Sequence, residues 1–124
     1  MIKYTTTVRS VGEMAAEFAA EGILVFFGPA APEELHEFSV ITDAATLTAP
    51  IEPGDRFEIG GDAFPITSVG ENANANVAEL GHLVVKFNGL EEPELPGDVS
   101  VAAVPSPTPA VGDQIRVSTL EGDG

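Results

Sequence analysis

The chain has 124 residues and sets 20 acidic side chains against 5 basic ones, for a formal net charge of −15 at pH 7. Such a surface repels nucleic-acid phosphates and anionic lipid; it suits docking to a basic protein partner, but taken by itself it is read first as keeping the protein soluble. There is no cysteine, which excludes disulfides, thiolate metal sites and cysteine nucleophiles together. The longest apolar run, "GILVFF", ends at Gly28 and Pro29, well short of the roughly 20 residues of a membrane span. "MIKYTTTVRS" lacks the apolar core of an export signal, so a cytoplasmic location is expected. The length predicts a single domain over 1–124 with a core of its own.

In chain order, "IKYTTTVR" is β-branched and alternating, which predicts a first strand over residues 2–9. "SVGEMAAEFAAEG" then places Val11, Met14, Ala15 and Phe18 at helical spacing, with Ser10 as a possible N-cap and Gly22 as the stop. The apolar "ILVFFG" reads as the next strand. After the turn "GPAAPEEL", the segments "HEFSVIT" and "ATLTAPI" read as short strands or one bent pair. "DRFEIGGDAFPITSVG" predicts a hairpin turning at "GGD", with Pro65 confining the return strand to an edge or a bulge. "ENANANVAELG" is polar and predicts at most a helical turn.

Three segments, "EPGDRFEI", "LPGDVSVA" and "AVGDQIRV", each set a Gly-Asp turn before an alternating strand, at Gly54-Asp55, Gly97-Asp98 and Gly112-Asp113. The glycine permits positive φ and the aspartate can accept from nearby amides. Their irregular spacing argues against a solenoid. "VPSPTPAVGD" predicts an extended loop between the last two strands, and the final "EGDG" a frayed end. The fold class that follows is mainly β: a small barrel-like or sandwich-like mixed sheet with one short helix near the N-terminus.

Residues able to do chemistry are sparse. In "ELGHLVVKFNG", strand alternation puts Leu83, Val85 and Phe87 on a core face and His82, Val84 and Lys86 on the other. His82 therefore stands on the more polar side, where it either starts a strand or serves a site. His36, in "PEELHEF", has Glu34 and Glu37 for neighbours, a setting that suits a solvated histidine better than a nucleophile. No metal motif, phosphate loop, dinucleotide fingerprint or nucleophile elbow is present, so neither a metal nor an organic cofactor is expected.

Nearly the whole chain nevertheless resembles the glucitol/sorbitol-specific IIA component of the bacterial phosphotransferase system. The likeness runs through "YTTTVRSVG", "APEELHEFSVIT", "IEPGDRFEIGGDAFPITSVGENANANVAELGHLVVKFNGL" and "LPGDVSVAAVP". It implies a cytoplasmic, mainly β protein that accepts a phosphoryl group on a histidine from the phosphocarrier HPr. That protein would pass the group to membrane-bound sugar-specific components that phosphorylate the entering polyol, without metal or cofactor. Imidazole suits the task, because its neutral form has a nitrogen lone pair near pH 7.

The resemblance also exposes a departure. Its acceptor histidine corresponds to Thr42 in "SVITDAATLTAPIEPG", and a second histidine often found two residues later corresponds to Ala44. His82 does fall on a histidine of the family's "ELGH" motif. Three readings stay open: His82, or failing it His36, is the acceptor; the fold persists as a regulatory or binding protein without transfer; or the chain is a small-ligand barrel. The first expects a reachable His82 nitrogen among amides or hydroxyls, with Lys86 near it. The second expects a buried, hydrogen-bonded His82, and the third a closed apolar pocket.

Overall fold

The computed structural model describes residues 1–119, so the frayed end expected at "EGDG" lies outside the described residues. Its strands are β1 (Ile2–Val11), β2 (Ile23–Phe27), β3 (Val40–Thr42), β4 (Arg56–Ile59), β5 (Asp62–Val69), β6 (Leu83–Lys86), β7 (Asp98–Val101) and β8 (Gln114–Ser118). Two helices, α1 (Ala15–Ala20) and α2 (Ala73–Leu80), and a 3-10 helix over Glu33–Phe38 complete the elements.

The strands close into a barrel in the order β1-β3-β2-β6-β7-β5-β4-β8, with β8 returning to β1. β2 with β3 and β6 with β7 run parallel, and the remaining neighbours are antiparallel. Closure leaves no sheet edge to template aggregation. Of the two architectures expected, the mixed barrel is the one formed.

β1 belongs to two partners. Residues from Ile2 to Thr7 pair with β8, and Val8 to Val11 pair with β3 across a register shift. This explains why the first helix starts later than its periodicity suggests. Ser10 and Val11 lie opposite Ile41 and Val40 in the ladder, so α1 begins at Ala15 and Ser10 caps nothing. The ladder outweighs a helical preference that an isolated two-turn helix could not realise.

The segment expected as a strand at "HEFSVIT" divides: its first half completes the 3-10 helix and only Val40–Thr42 pairs. "ATLTAPI" forms no strand, although burial alternates along it and Ala45, Leu47 and Ile51 pack on the core. The alternation there was real, but most of β1 is already paired, and Pro50 has no N–H to give. What remains is a bond from Thr48 N–H to the Lys3 carbonyl, with Asp43 N–H reaching Thr7.

The hairpin of β4 and β5 turns on Gly60 and Gly61, at φ of 58° and 95°, the sign of φ a two-residue hairpin turn demands. Pro65 sits at the end of the β4 ladder, next to the register shift where β5 moves on to β7. The three Gly-Asp turns share one chemistry. Asp55, Asp98 and Asp113 each accept from the amide three residues back, at 2.8, 3.1 and 2.9 Å, and return their own N–H to that residue's carbonyl. Gly54 and Gly112 have the positive φ expected, whereas Gly97 does not.

The interior is filled by side chains: Tyr4, Val8, Leu24, Phe26, Val40, Phe57, Ile59, Leu83, Val85, Val99, Val101, Ile115 and Val117 are each at most 3% exposed. No helix among the described residues is long and apolar enough to cross a membrane.

Candidate functional site

The C-terminal end of β2 gathers the residues of interest. β3 flanks it on one side through Phe27↔Ile41, and β6 on the other through Phe26↔Leu83. One step past those pairs stand Thr42 and His82. Sequence places them 40 positions apart, and the barrel brings them to either side of one strand end.

They do not share a face. Thr42 keeps the inward phase of Val40 and is 1% exposed, while His82 precedes inward Leu83 and so stands on the outer wall. The Thr42 hydroxyl donates to the Phe27 carbonyl at 3.3 Å. Its other neighbour is the buried Tyr4 phenol, whose proton affinity burial raises above the ordinary tyrosine value against the opposing pull of Thr42. Among the described residues Thr42 thus has no base to activate its oxygen, and its proton is committed to a backbone carbonyl.

His82 is held from three directions. Its amide donates to the Asn76 carbonyl at 3.2 Å, as part of the C-cap of α2. Its ring stacks on Phe27, with centroids 4.3 Å apart and planes inclined by 25°. Nδ1 lies 3.2 Å from the Phe26 carbonyl. A carbonyl oxygen can only accept, so Nδ1 carries the proton, and in the neutral ring the lone pair sits on Nε2. Among the described residues Nε2 has no hydrogen-bond partner, and it is not one of the buried atoms lacking a partner there.

The junction beneath this ring depends on two glycines. α2 ends on Gly81, at φ 64°, a left-handed C-cap of the kind that glycine favours. Gly28 N–H donates to the Leu80 carbonyl at 3.1 Å. A β-carbon on Gly28 would lie 2.9 Å from the Leu80 carbonyl oxygen, and one on Gly81 would lie 3.0 Å from Gly28. The backbones of β2 and α2 therefore touch, which fixes where His82 leaves the helix.

Above this contact opens a cleft of about 210 Å³, walled by Gly28, Pro29 and Ala30, by Asp43 to Ala45, and by Ala78 to Gly81. Ala44 is exposed on its wall. The cleft is small-residue and apolar apart from Asp43 and Glu79, and it lies at the barrel's end, so it is no enclosed ligand chamber.

His36 is elsewhere. It is exposed on the 3-10 helix, with Nε2 3.2 Å from the Ala31 carbonyl. It borders an open groove shared with Ser10, Val11, Gly12, Glu13, Glu33 and Glu37, whose three carboxylates would oppose a phosphoryl group. Lys86 does not attend His82 either. Two steps along the same face, about 13 Å away at strand rise, its ammonium is tied to Asp98 at 2.8 Å and to Glu94 at 3.3 Å.

All five cations are in fact engaged within the chain: Lys3 with Asp55 and Glu52, Arg9 with Asp43, Arg56 and Arg116 with Glu58, and Lys86 as above. Among the described residues no group of three or more metal-ligating side chains converges. Sequence reasoning reached His82 but missed its supports, the Phe27 ring, the Phe26 carbonyl and the Gly28–Gly81 contact. Their only trace was that "FFG" and "LGH" are glycine-bearing ends of two apolar strands.

A profile of the family described as "PTS system glucitol/sorbitol-specific IIA component" matches residues 3–116. The chain is 33% identical over 118 residues to the "PTS system glucitol/sorbitol-specific EIIA component" of Shigella flexneri, and equally to that of Escherichia coli (strain K12). Each alignment covers 95% of this chain and 96% of the relative. Among solved structures, the PTS system IIA component from Enterococcus faecalis V583 is similar with a TM-score of 0.75 at 23% identity, over 93% of this chain and 99% of that one. At that identity the structural likeness speaks to the fold.

Proposed function

The chain belongs to the glucitol/sorbitol-specific IIA family of the phosphotransferase system, and on that premise we propose that it accepts a phosphoryl group on His82 from HPr and hands it to membrane-bound sugar-specific components. The cargo would be a glucitol- or sorbitol-type polyol phosphorylated on entry, and the protein would work in the cytoplasm as a single domain. The observation that carries this reading is the Nδ1 contact with the Phe26 carbonyl. It selects the tautomer whose Nε2 is nucleophilic, and the Phe27 stack restrains the ring. His36 is the less suitable acceptor because of the carboxylates around its groove.

A second reading has its own support. Thr42 occupies the position that resemblance gives to the acceptor, and it is buried with its proton engaged. A protein that kept the barrel and its docking surface without the transfer step would look the same there. Incubation with phosphoenolpyruvate, enzyme I and HPr, followed by intact mass and acid treatment, separates the two. We expect one acid-labile phosphate on the wild type, retained in His36→Ala and Thr42→Val and lost in His82→Ala. An unphosphorylated wild type, with the donor chain active on another IIA protein, would select the regulatory reading.

A further inference from the structure

Two serines on the outer wall of the barrel are buried without a hydrogen bond. Val99 and Val101 pack in the core, so Ser100 between them points outward. Ser68 stands opposite Ser100 in the β5–β7 ladder and shares its side of the sheet. The register shift between Ile66 and Ser68 inserts Thr67, which is how Ser68 faces out only two residues after the core residue Ile66. An outward serine is ordinarily wet, yet Ser68 is 3% and Ser100 0% exposed. Both Oγ atoms are enclosed, and neither has a hydrogen-bond partner among the described residues.

What covers them is the segment 88–97, which crosses outside β5 and β7 as a strap. One end is held by Gly89 N–H on the Val101 carbonyl at 2.8 Å and by the Thr67 hydroxyl on the Leu90 carbonyl at 2.7 Å. The other is held by Leu95 N–H on Asp98 Oδ2 at 3.1 Å and by Asn72 N–H on the Pro96 carbonyl at 2.8 Å. Both ends touch the barrel closely. A β-carbon on Gly89 would lie 3.3 Å from the Ala103 nitrogen, and one on Gly70 would overlap the Pro96 carbonyl oxygen. The ends therefore fix how high the strap stands over the serines, and at that height no group of the described residues bonds either hydroxyl.

The two hydroxyls cannot satisfy each other. Each has one proton to give, so a bond between them spends one proton and leaves the second without an acceptor. Enclosing such a group unpaired is costly, and alanine at both positions would avoid the cost. A water molecule accepts both protons and has two of its own to donate. An acceptor stands on the same outer side, two residues before Ser100. Asp98 Oδ2 takes the Leu95 amide and lies 2.8 Å from the Lys86 ammonium, while Oδ1 carries no bond among the described residues. We propose that Ser68 and Ser100 hold one internal water molecule, sealed against the barrel wall by the strap. It attaches the middle of the strap where no side chain does, and it is independent of any chemistry at His82.

A high-resolution crystal structure of the whole chain tests this directly. We expect one water oxygen at about 2.6–3.2 Å from both Oγ atoms. Contacts of about 2.1–2.6 Å to several oxygens would mark a metal ion instead. That result, or a direct bond between the two hydroxyls with no water beside it, would overturn the proposal. Substitution gives a second measure in solution. Ser68→Ala and Ser100→Ala each strip the water of a partner, so each should lower the melting temperature by roughly 2–5 °C. The double variant should fall little below the worse single one, because the water is lost only once. Amide exchange at Gly89 and Leu95, the two ends of the strap, should quicken at least fivefold in the double variant. If the hydroxyls are simply orphaned, each alanine leaves melting unchanged or raises it, and exchange at the strap does not change; that outcome refutes the water.

Discussion

The Lys3 ammonium lies 2.6 Å from Asp55 Oδ2 and 2.7 Å from the Pro50 carbonyl, with 4% of its side chain exposed. Burial, the largest single influence, pulls its proton affinity down, but the hydrogen bond and charge of Asp55, aided by Glu52, outweigh burial and hold it above the ordinary lysine value. Lys86 is raised too, by its hydrogen bond to Asp98 ahead of the burial that opposes it. Two of the three Gly-Asp turns thus use one carboxylate for two tasks, bonding the turn's amide and holding a lysine. Removing Asp55 deprives a buried ammonium of its main partner, so Asp55→Ala should cost about 3–5 kcal/mol. The double variant Lys3→Met/Asp55→Asn should recover much of that, since no charge remains to desolvate. Urea unfolding of the three proteins checks this, and a double variant no more stable than Asp55→Ala would contradict it. The same shifts set an alkaline limit. A group bound more tightly to its proton when folded stabilises fully below its unfolded value and loses that contribution as pH climbs through the folded one. Lys3, Lys86 and Tyr4 are all raised, so stability should fall from about pH 10 upward. Lys86→Met should flatten that fall in urea midpoints taken at about pH 8, 10 and 11.5. An equally steep decline in the variant would remove Lys86 from the explanation.

Among the elements, α2 was the least legible and is the most consequential. Its asparagines looked like poor helix formers, yet Asn74 bonds both backbone groups of Ile51, accepting from its N–H at 2.6 Å and donating to its carbonyl at 3.1 Å. Asn76 supplies the carbonyl that receives the amide of His82. A residue that discourages helix in isolation is kept because its amide pairs with a distant segment, and no local pattern reveals that. The hairpin of β4 and β5 was legible because its turn and its alternation are local. The core face of β6 was legible for the same reason, with Leu83 and Val85 at most 1% exposed. The division of "HEFSVIT" and the loss of a strand at "ATLTAPI" were not, because they follow from which groups of β1 are already paired. For the site, the faces of β6 were readable, but the Phe27 stack and the Phe26 carbonyl belong to a strand more than 50 residues away in sequence. A prediction belongs at this junction. In Gly28→Ala the new methyl meets the Leu80 carbonyl at 2.9 Å, and backbone must move at a cost of about 1–3 kcal/mol. As α2 shifts, the Nδ1 contact of His82 lengthens. Phosphate acceptance should drop at least fivefold under conditions where circular dichroism still reports a folded barrel. A folded Gly28→Ala protein that accepts phosphate at the parent rate would show that the contact does not position His82.

At the scale of the whole molecule, charge and closure act on different terms of the stability. Closure pairs every strand on both sides, which supplies the hydrogen bonding and the filled core, whereas 20 acids against 5 bases oppose compaction by mutual repulsion. Added salt affects two classes of interaction in opposite senses. It weakens the exposed pairs, such as Arg9 with Asp43, whose side chains are 68% and 41% exposed, but such pairs contribute little to begin with. It hardly reaches the Lys3–Asp55 pair, at 4% and 7%. Against these small losses it screens the carboxylates that five cations cannot neutralise, over a Debye length that falls from roughly 20 Å at about 20 mM to about 4–5 Å at about 500 mM. The repulsion has more partners and longer range, so its relief should win. The melting temperature at pH 7 should therefore rise by several degrees between those sodium chloride concentrations, with most of the gain in the first half of the range, where the screening length changes fastest. Differential scanning calorimetry at matched pH measures it directly. A melting temperature that stays flat or falls would mean that the exposed ion pairs, and not the surplus of negative charge, govern the electrostatic part of this barrel's stability.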